Sequence, residues 1–556
     1  MTMSVTATPK RAIDPGPDNV RPGPRPSGPV PFLHGGTNPP PRGTPPLPDL
    51  YTIVVNRLGY GPRPGLRAEW QALGPNDDAR LQAWLNQQLA HGSIADPEYD
   101  AVVSAAGYET LTKTRQQLWQ QYRRHADWQV RRLPIWECEV EAIVRAAYSR
   151  KQLLHVMTEF WLDHFSVYGW ESNTESMFPD WVRLMRTHCF GNFRDFLGEV
   201  ARHTAMLYYL DQYTSSAPFP NENYARELFE LHTMGSENYL GVLDPLSVPD
   251  DGFGNPIGYV DNDVYEGARC LAGFTFSDSI DEGGDTGLFY YRDDWHDIGT
   301  KLVLGDILNN GANAPEADAN DLFDLLANHP GTGRHLARKL CTRLVSDDPP
   351  QSLVDAAAAE WNAHIASNDQ IERVVRLIVL SNEFKTTWGE KVKRPYQLLA
   401  GAVRATSYQQ DWAVDAEDLS SLLSRLDQTS HGMFNWRAPN GYPDARIKWE
   451  STSPRIMTWR LMLWLTDTTD DVSGLKRLNA AAQTPPGIDT PTELADYWLD
   501  RILDRPVPAE DRQEVIDFMA AGFNPDLSLD LSDEDNHDRL RMMVGLILNM
   551  PENLMR

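Results

Sequence analysis

From Leu50 onward, one segment of helical hydrophobic period follows another with short Pro/Gly breaks between them, which limits this chain to an α-rich architecture. Residues 78–89, for example, place Leu81, Trp84, Leu85 and Leu89 at i, i+3, i+4 and i+8. The same period predicts helices over 111–130, 138–168, 177–188, 193–211, 221–235, 262–273, 320–328 and 331–346. It continues over 370–380, 395–407, 417–426, 455–466, 492–503, 509–520 and 536–549. Ser532 opens a Ser-x-x-Asp capping pattern before the last of these. Strand-like alternation is confined to 286–304, and 241–262 reads as a long Gly/Pro/Asp loop of the kind that often carries function. The expectation is a mostly α fold: a large multi-helix single body over 49–556, with long loops and at most a few short strands. Residues 1–48 hold 14 of the 40 prolines and few large apolar side chains, so they are expected to form a disordered tail.

Charge narrows the partners. Lys and Arg total 51 against 78 Asp and Glu, a net −27, which repels phosphate backbones and anionic lipid and suits neutral polar substrates such as sugars. Nucleic-acid binding is therefore not expected. No apolar run approaches the ~20 residues of a membrane span. The first residues lack the apolar stretch of a signal peptide, which makes the cytoplasm the default compartment. The cysteines at 138, 189, 270 and 341 are widely spaced with no C-x-x-C, and are expected to be buried free thiols. The familiar nucleotide-binding, α/β-hydrolase and zincin motifs are missing.

Chemistry must then come from other constellations. In 220–235, Pro220 and Asn221 supply a helix start and Gly235 a stop. Asn223, Arg226, Glu227 and Glu230 fall on one stripe, opposite Tyr224, Leu228 and Leu231. Two carboxylates one turn apart can chelate a metal, or one can raise the pKa of the other and make it an acid. The same spacing also describes the ordinary polar face of a helix. In 152–167, His155, Glu159 and Asp163 form a second stripe, whereas His164 lies beside Phe160 and Trp161 and is expected to be buried with a polar partner. In 293–305, His296, Asp297 and Lys301 surround Gly299 and can supply a base, an orienting carboxylate and an anion holder; a solvated turn is the plainer alternative. Residues 439–449 form a turn-rich, aromatic loop that can line a cleft or lie on the surface. The 17 Trp suit both sugar stacking and helical packing.

These motifs in this order resemble the bacterial family catalogued as domain of unknown function 1800. The resemblance runs through NRLGYGPRPG at 56–65, FWLDHFSV at 160–167 and LYYLDQYTSSAPFPNENYARELFELHTMG at 207–235. It continues through VYEGARCLAGFTF at 264–276, WHDIGTKLVLG at 295–305, HPGTGRHLARKL at 329–340, the 378–405 segment and PNGYPD at 439–444. The chain departs from the family pattern at Leu162, Asp163 and Phe274, and in its MPENLMR ending. The resemblance implies that many relatives are exported, and that a co-encoded sulfatase-like protein can be a partner.

Together these readings favour the expectation of an enzyme performing acid–base or metal-assisted hydrolysis or elimination on a polar, glycan-like substrate, a hydrolase or lyase ahead of an oxidoreductase. Glu227, His164, His296 and Asp297 are the expected catalytic residues. Asn223, Arg226, Glu230 and Lys301 are the expected substrate-binding residues. No metal ligand set is assigned; a divalent ion is compatible with the carboxylates. Glu227 is expected to find its partner in His164 or His296, since His232 points elsewhere around the helix. The alternatives are a metal-dependent oxidoreductase with a helix-bundle carboxylate/His site, and a noncatalytic assembly partner whose motif residues form a buried polar network.

Overall fold

Helix after helix is started by a side chain chosen for the purpose. Asp49 accepts from Thr52 N (2.9 Å) to open Leu50–Arg57, Asn76 opens Asp77–Leu89, Asn192 opens Phe193–Ala201, and His329 with Pro330 opens Pro330–Leu344. A computed structural model describes residues 46–171, 173–279, 283–308, 316–467 and 478–556. Within them the protein is mostly α, with 26 α-helices and two small two-stranded antiparallel ribbons. One ribbon pairs Phe274–Ser279 with Gly284–Tyr291, the other Lys301–Val303 with Asp306–Leu308; the alternation read over 286–304 falls on the second and third of these strands and not on the other two. Residues 46–556 make one compact unit. The expected tail lies outside the described residues over 1–45.

Tertiary contacts move several helix boundaries. The single helix expected over 138–168 is two, Trp128–Tyr148 and Gln152–His164. The break falls where Asp96 takes hydrogen bonds from the Ser149 hydroxyl and from Arg150 N, which pulls the chain out of helical geometry. The last long helix is capped by Asp533, which accepts from Asn536 N (3.1 Å), while Ser532 instead donates to Asp530. In the 221–235 segment Asn221 caps as expected, but only Glu222–Glu227 is α-helical; Leu228–His232 widens into a π turn.

The long Trp128–Tyr148 helix is central. Pro395–Thr406 packs along it, and Pro330–Leu344 pairs with Gln351–Ala363, a helix the periodicity missed. Trp161, Trp181, Trp361 and Trp498 are fully buried, and Trp161 packs on Phe165, Phe193 and Phe196, so these tryptophans serve the core. All four cysteines are buried and free. Among the described residues, no helix is long and apolar enough to cross a membrane.

Candidate functional site

Two helices present stripes of period four to one another. Gln152–His164 contributes Glu159, Asp163 and His164, while His155 turns to Arg186 (2.9 Å); Pro330–Leu344 contributes His335, Lys339 and Arg343. Arg394 joins them from the start of Pro395–Thr406, and the 439–444 loop closes the site with Asn440, Tyr442 and Asp444. That loop reaches its place because residue 441 is glycine: its φ is +69°, and a Cβ there would stand 2.0 Å from the Asp163 carbonyl oxygen. Between these elements lies a cavity of about 450 Å³, a size suited to a small molecule.

Behind the cavity, four carboxylates meet four cations. Arg394 pairs with Asp163 (2.5 Å), Glu159 (3.5 Å) and Asp444 (3.4 Å); Arg343 pairs with Glu159 (3.0 Å) and Asp444 (3.6 Å). Lys391 joins Asp347 (2.6 Å) to Asp444 (3.5 Å), and Arg556 approaches Asp444 at 3.8 Å. Burial alone would raise the Glu159 carboxyl, but Arg343 and Arg394 hold it down at about 2. Asp444 is likewise held well below the carboxylate range, against its burial, by Lys391, Arg343, Arg394 and Arg556. The formal charges of this cluster balance, so it is a clamp between helices and leaves no surplus charge for a ligand.

Lys339 stands apart from that balance. Among the described residues no carboxylate lies within ion-pair distance of its amine, whose one hydrogen-bond partner is His164 Nδ1 at 2.9 Å. Burial lowers its pKa to about 8. His164 is 1% exposed, stacks on Phe160 and meets Trp161 edge-on, as its azimuth predicted. Because Nδ1 accepts from Lys339, Nε2 carries the proton and donates to the His232 carbonyl (3.2 Å), a group at the end of the π turn with no helical donor of its own. Burial, and then the charge of Lys339, keep His164 neutral. His232 lies behind it, ring centroids 6.1 Å apart, with both ring nitrogens buried and unpartnered. At the cavity edge His335 bonds Glu237 at 2.8 Å. Sequence reasoning missed the residues on this helix, although His335, Lys339 and Arg343 repeat the i, i+4, i+8 spacing read for His155, Glu159 and Asp163.

The expected catalytic residues do not come together. His164 sits in the cavity wall, but no histidine lies within hydrogen-bond or ion-pair distance of Glu227 among the described residues. Glu227 is half-buried on the short helix; burial, then its neighbour Glu230, raises it to about 6, the carboxylate-pair effect anticipated from spacing. Arg226 turns to Asp261 (3.4 Å), and Asn223 donates to the Leu210 carbonyl. His296 belongs to a separate cluster. Its Nε2 meets Asp318 (3.1 Å), and fully buried Lys301 also binds Asp318. Asp297 does not orient His296; it takes both oxygens to Arg269 (2.8 and 2.9 Å). Asp318, on the helix Ala317–Asn328, was the missed partner, since nothing in local spacing links it to 293–305. Among the described residues no three His, Cys, Asp or Glu side chains converge to hold a metal ion.

The protein is a helical body that clamps a small cavity with a balanced ion cluster and, among the described residues, leaves Lys339 in that cavity with no carboxylate partner. The chain belongs to the family described as "Protein of unknown function (DUF1800)", which matches residues 53–555. Comparisons with curated proteins and with solved structures gave no match.

Proposed function

We propose that the protein is an enzyme performing hydrolysis or elimination on a polar, glycan-like substrate, with Lys339 and His164 as its acid–base pair. The observation that carries this reading is an amine lining a small-molecule-sized cavity with a histidine, and no carboxylate, as its bonded partner. A pKa of about 8 leaves an appreciable fraction of free amine near neutral pH. As free base Lys339 takes a proton from a bound hydroxyl, water or carbon acid; as ammonium it returns one to the departing oxygen. His164 orients the amine and, being neutral, adds no charge that would prevent it from reprotonating. A panel of glycans and glycosides tests the substrate class. Wild type should release product at a rate that rises as the amine loses its proton near pH 8, and Lys339→Met should lose about 10²–10⁴-fold. Equal turnover by the two proteins would sink the assignment.

A second reading rests on the eight-group ion cluster. It ties together five stretches of chain without offering a free charge, which is what an assembly scaffold with a structural polar network would show.

A further inference from the structure

A different cavity, of about 900 Å³, opens between Trp128–Tyr148 and the helix Glu417–Gln428. One helix lends it the stripe Gln129, Leu133, Trp136 and Glu139; the other lends Ser420, Leu423, Ser424 and Asp427. Its walls carry three aromatic rings, Tyr108, Trp136 and Trp170, and five carboxyl groups. No Lys, Arg or His lines it among the described residues. Glu109, Asp415 and Asp427 stand at the exposed edge, and Glu137 is spent on Glu109 N, Thr110 N and the Thr110 hydroxyl.

Glu139 is the anomaly. It is 4% exposed, and its carboxyl has no hydrogen-bond or ion-pair partner among the described residues. A buried polar group left unmatched costs free energy, and such groups in a native fold call for a functional reason. Burial, and then Asp427, push this carboxyl well above its ordinary pKa.

We propose that this cavity binds an aliphatic diamine or polyamine, with Glu139 accepting from an ammonium group and the aromatic rings packing on the methylene chain and the positive charge. Carboxyl groups, aromatic faces and no competing cation are the complement of such a ligand. A neutral polyol would gain hydrogen bonds but no charge–charge attraction from the edge carboxylates, and an inorganic dication has no methylene chain to pack on the rings. Binding ionises Glu139, and its proton passes to the buffer.

Isothermal titration of the full-length protein with spermidine at physiological salt tests this. The wild type should show one saturable site whose heat at pH 7 varies with the ionisation enthalpy of the buffer. Glu139→Gln should weaken binding at least tenfold and abolish the buffer dependence, and Trp136→Leu should weaken it several-fold. Lys339→Met should leave it unchanged. With a net charge of −27, diffuse attraction must be told apart from a site. Three results overturn the proposal: no saturable site, equal affinity in wild type and Glu139→Gln, or equal binding of 1,4-butanediol. Displacement of spermidine by Mg²⁺ to the same degree in wild type and both cavity variants would overturn it as well.

Discussion

A lysine that loses water without gaining a carboxylate is strained as an ammonium, and Lys339 is in that position. Its native pKa of about 8 lies below the 10.5 of a free lysine, so the native state holds fewer protons than the unfolded chain between these values. The penalty is complete below pH 8 and disappears as pH rises to 10.5. Lys339→Met should therefore be more stable than wild type at pH 7, by about 1 kcal/mol after allowing for the acceptor left unpaired on His164. The gap should close between pH 8 and 10.5. Urea melts of both proteins at pH 7 and 10 check this, and a less stable variant at pH 7 would contradict it. Glu227 shows the opposite sign. Raised to about 6, its carboxyl binds a proton more tightly in the fold, so the native state loses stability as pH climbs from 4.5 to 6. Glu227→Gln should match wild type at pH 4 and exceed it at pH 7 by up to about 1 kcal/mol, a figure reduced for solvent screening. Differential melts at the two pH values decide it.

Between elements, the ion cluster is the joint that holds Gln152–His164, Pro330–Leu344, Pro395–Thr406 and the 439–444 loop in register. Asp444 alone faces Lys391, Arg343, Arg394 and Arg556. Asp444→Asn leaves buried cations uncompensated and should cost about 3–5 kcal/mol, seen as a lower urea midpoint. A loss below 1 kcal/mol would show that the cluster is not a joint. Periodicity found most of the helices because an apolar stripe is a local property of the sequence. It erred at Ser149 and Arg150, where the distant Asp96 intervenes, and at 228–232, where the helix widens into a π turn. The alternation at 286–304 marked two of the four strands, while Phe274–Ser279, Asp306–Leu308 and the pairing required the fold.

For the whole molecule, the described unit begins at Pro46, and its first anchor is Asp49, which caps Leu50–Arg57 and pairs with Arg67 at 2.5 Å. A chain starting at Pro46 should melt with the full-length protein, whereas one starting at Leu50 should lose about 1 kcal/mol through the missing cap. Equal midpoints for the two shortened chains would refute the role given to Asp49. At this scale the division between sequence and structure is plain. The sequence by itself determined that the chain is mostly helical, that His164 lies among aromatics and that Glu230 raises the Glu227 carboxyl. Each of these follows from spacing within a single segment. Only the tertiary structure decided that Glu227 has no histidine partner among the described residues, that Asp297 serves Arg269 while Asp318 takes His296, and that Lys339 meets His164 across 175 positions. Those pairings depend on how segments far apart in the chain pack against one another, and period within a segment carries no information about its neighbours in space.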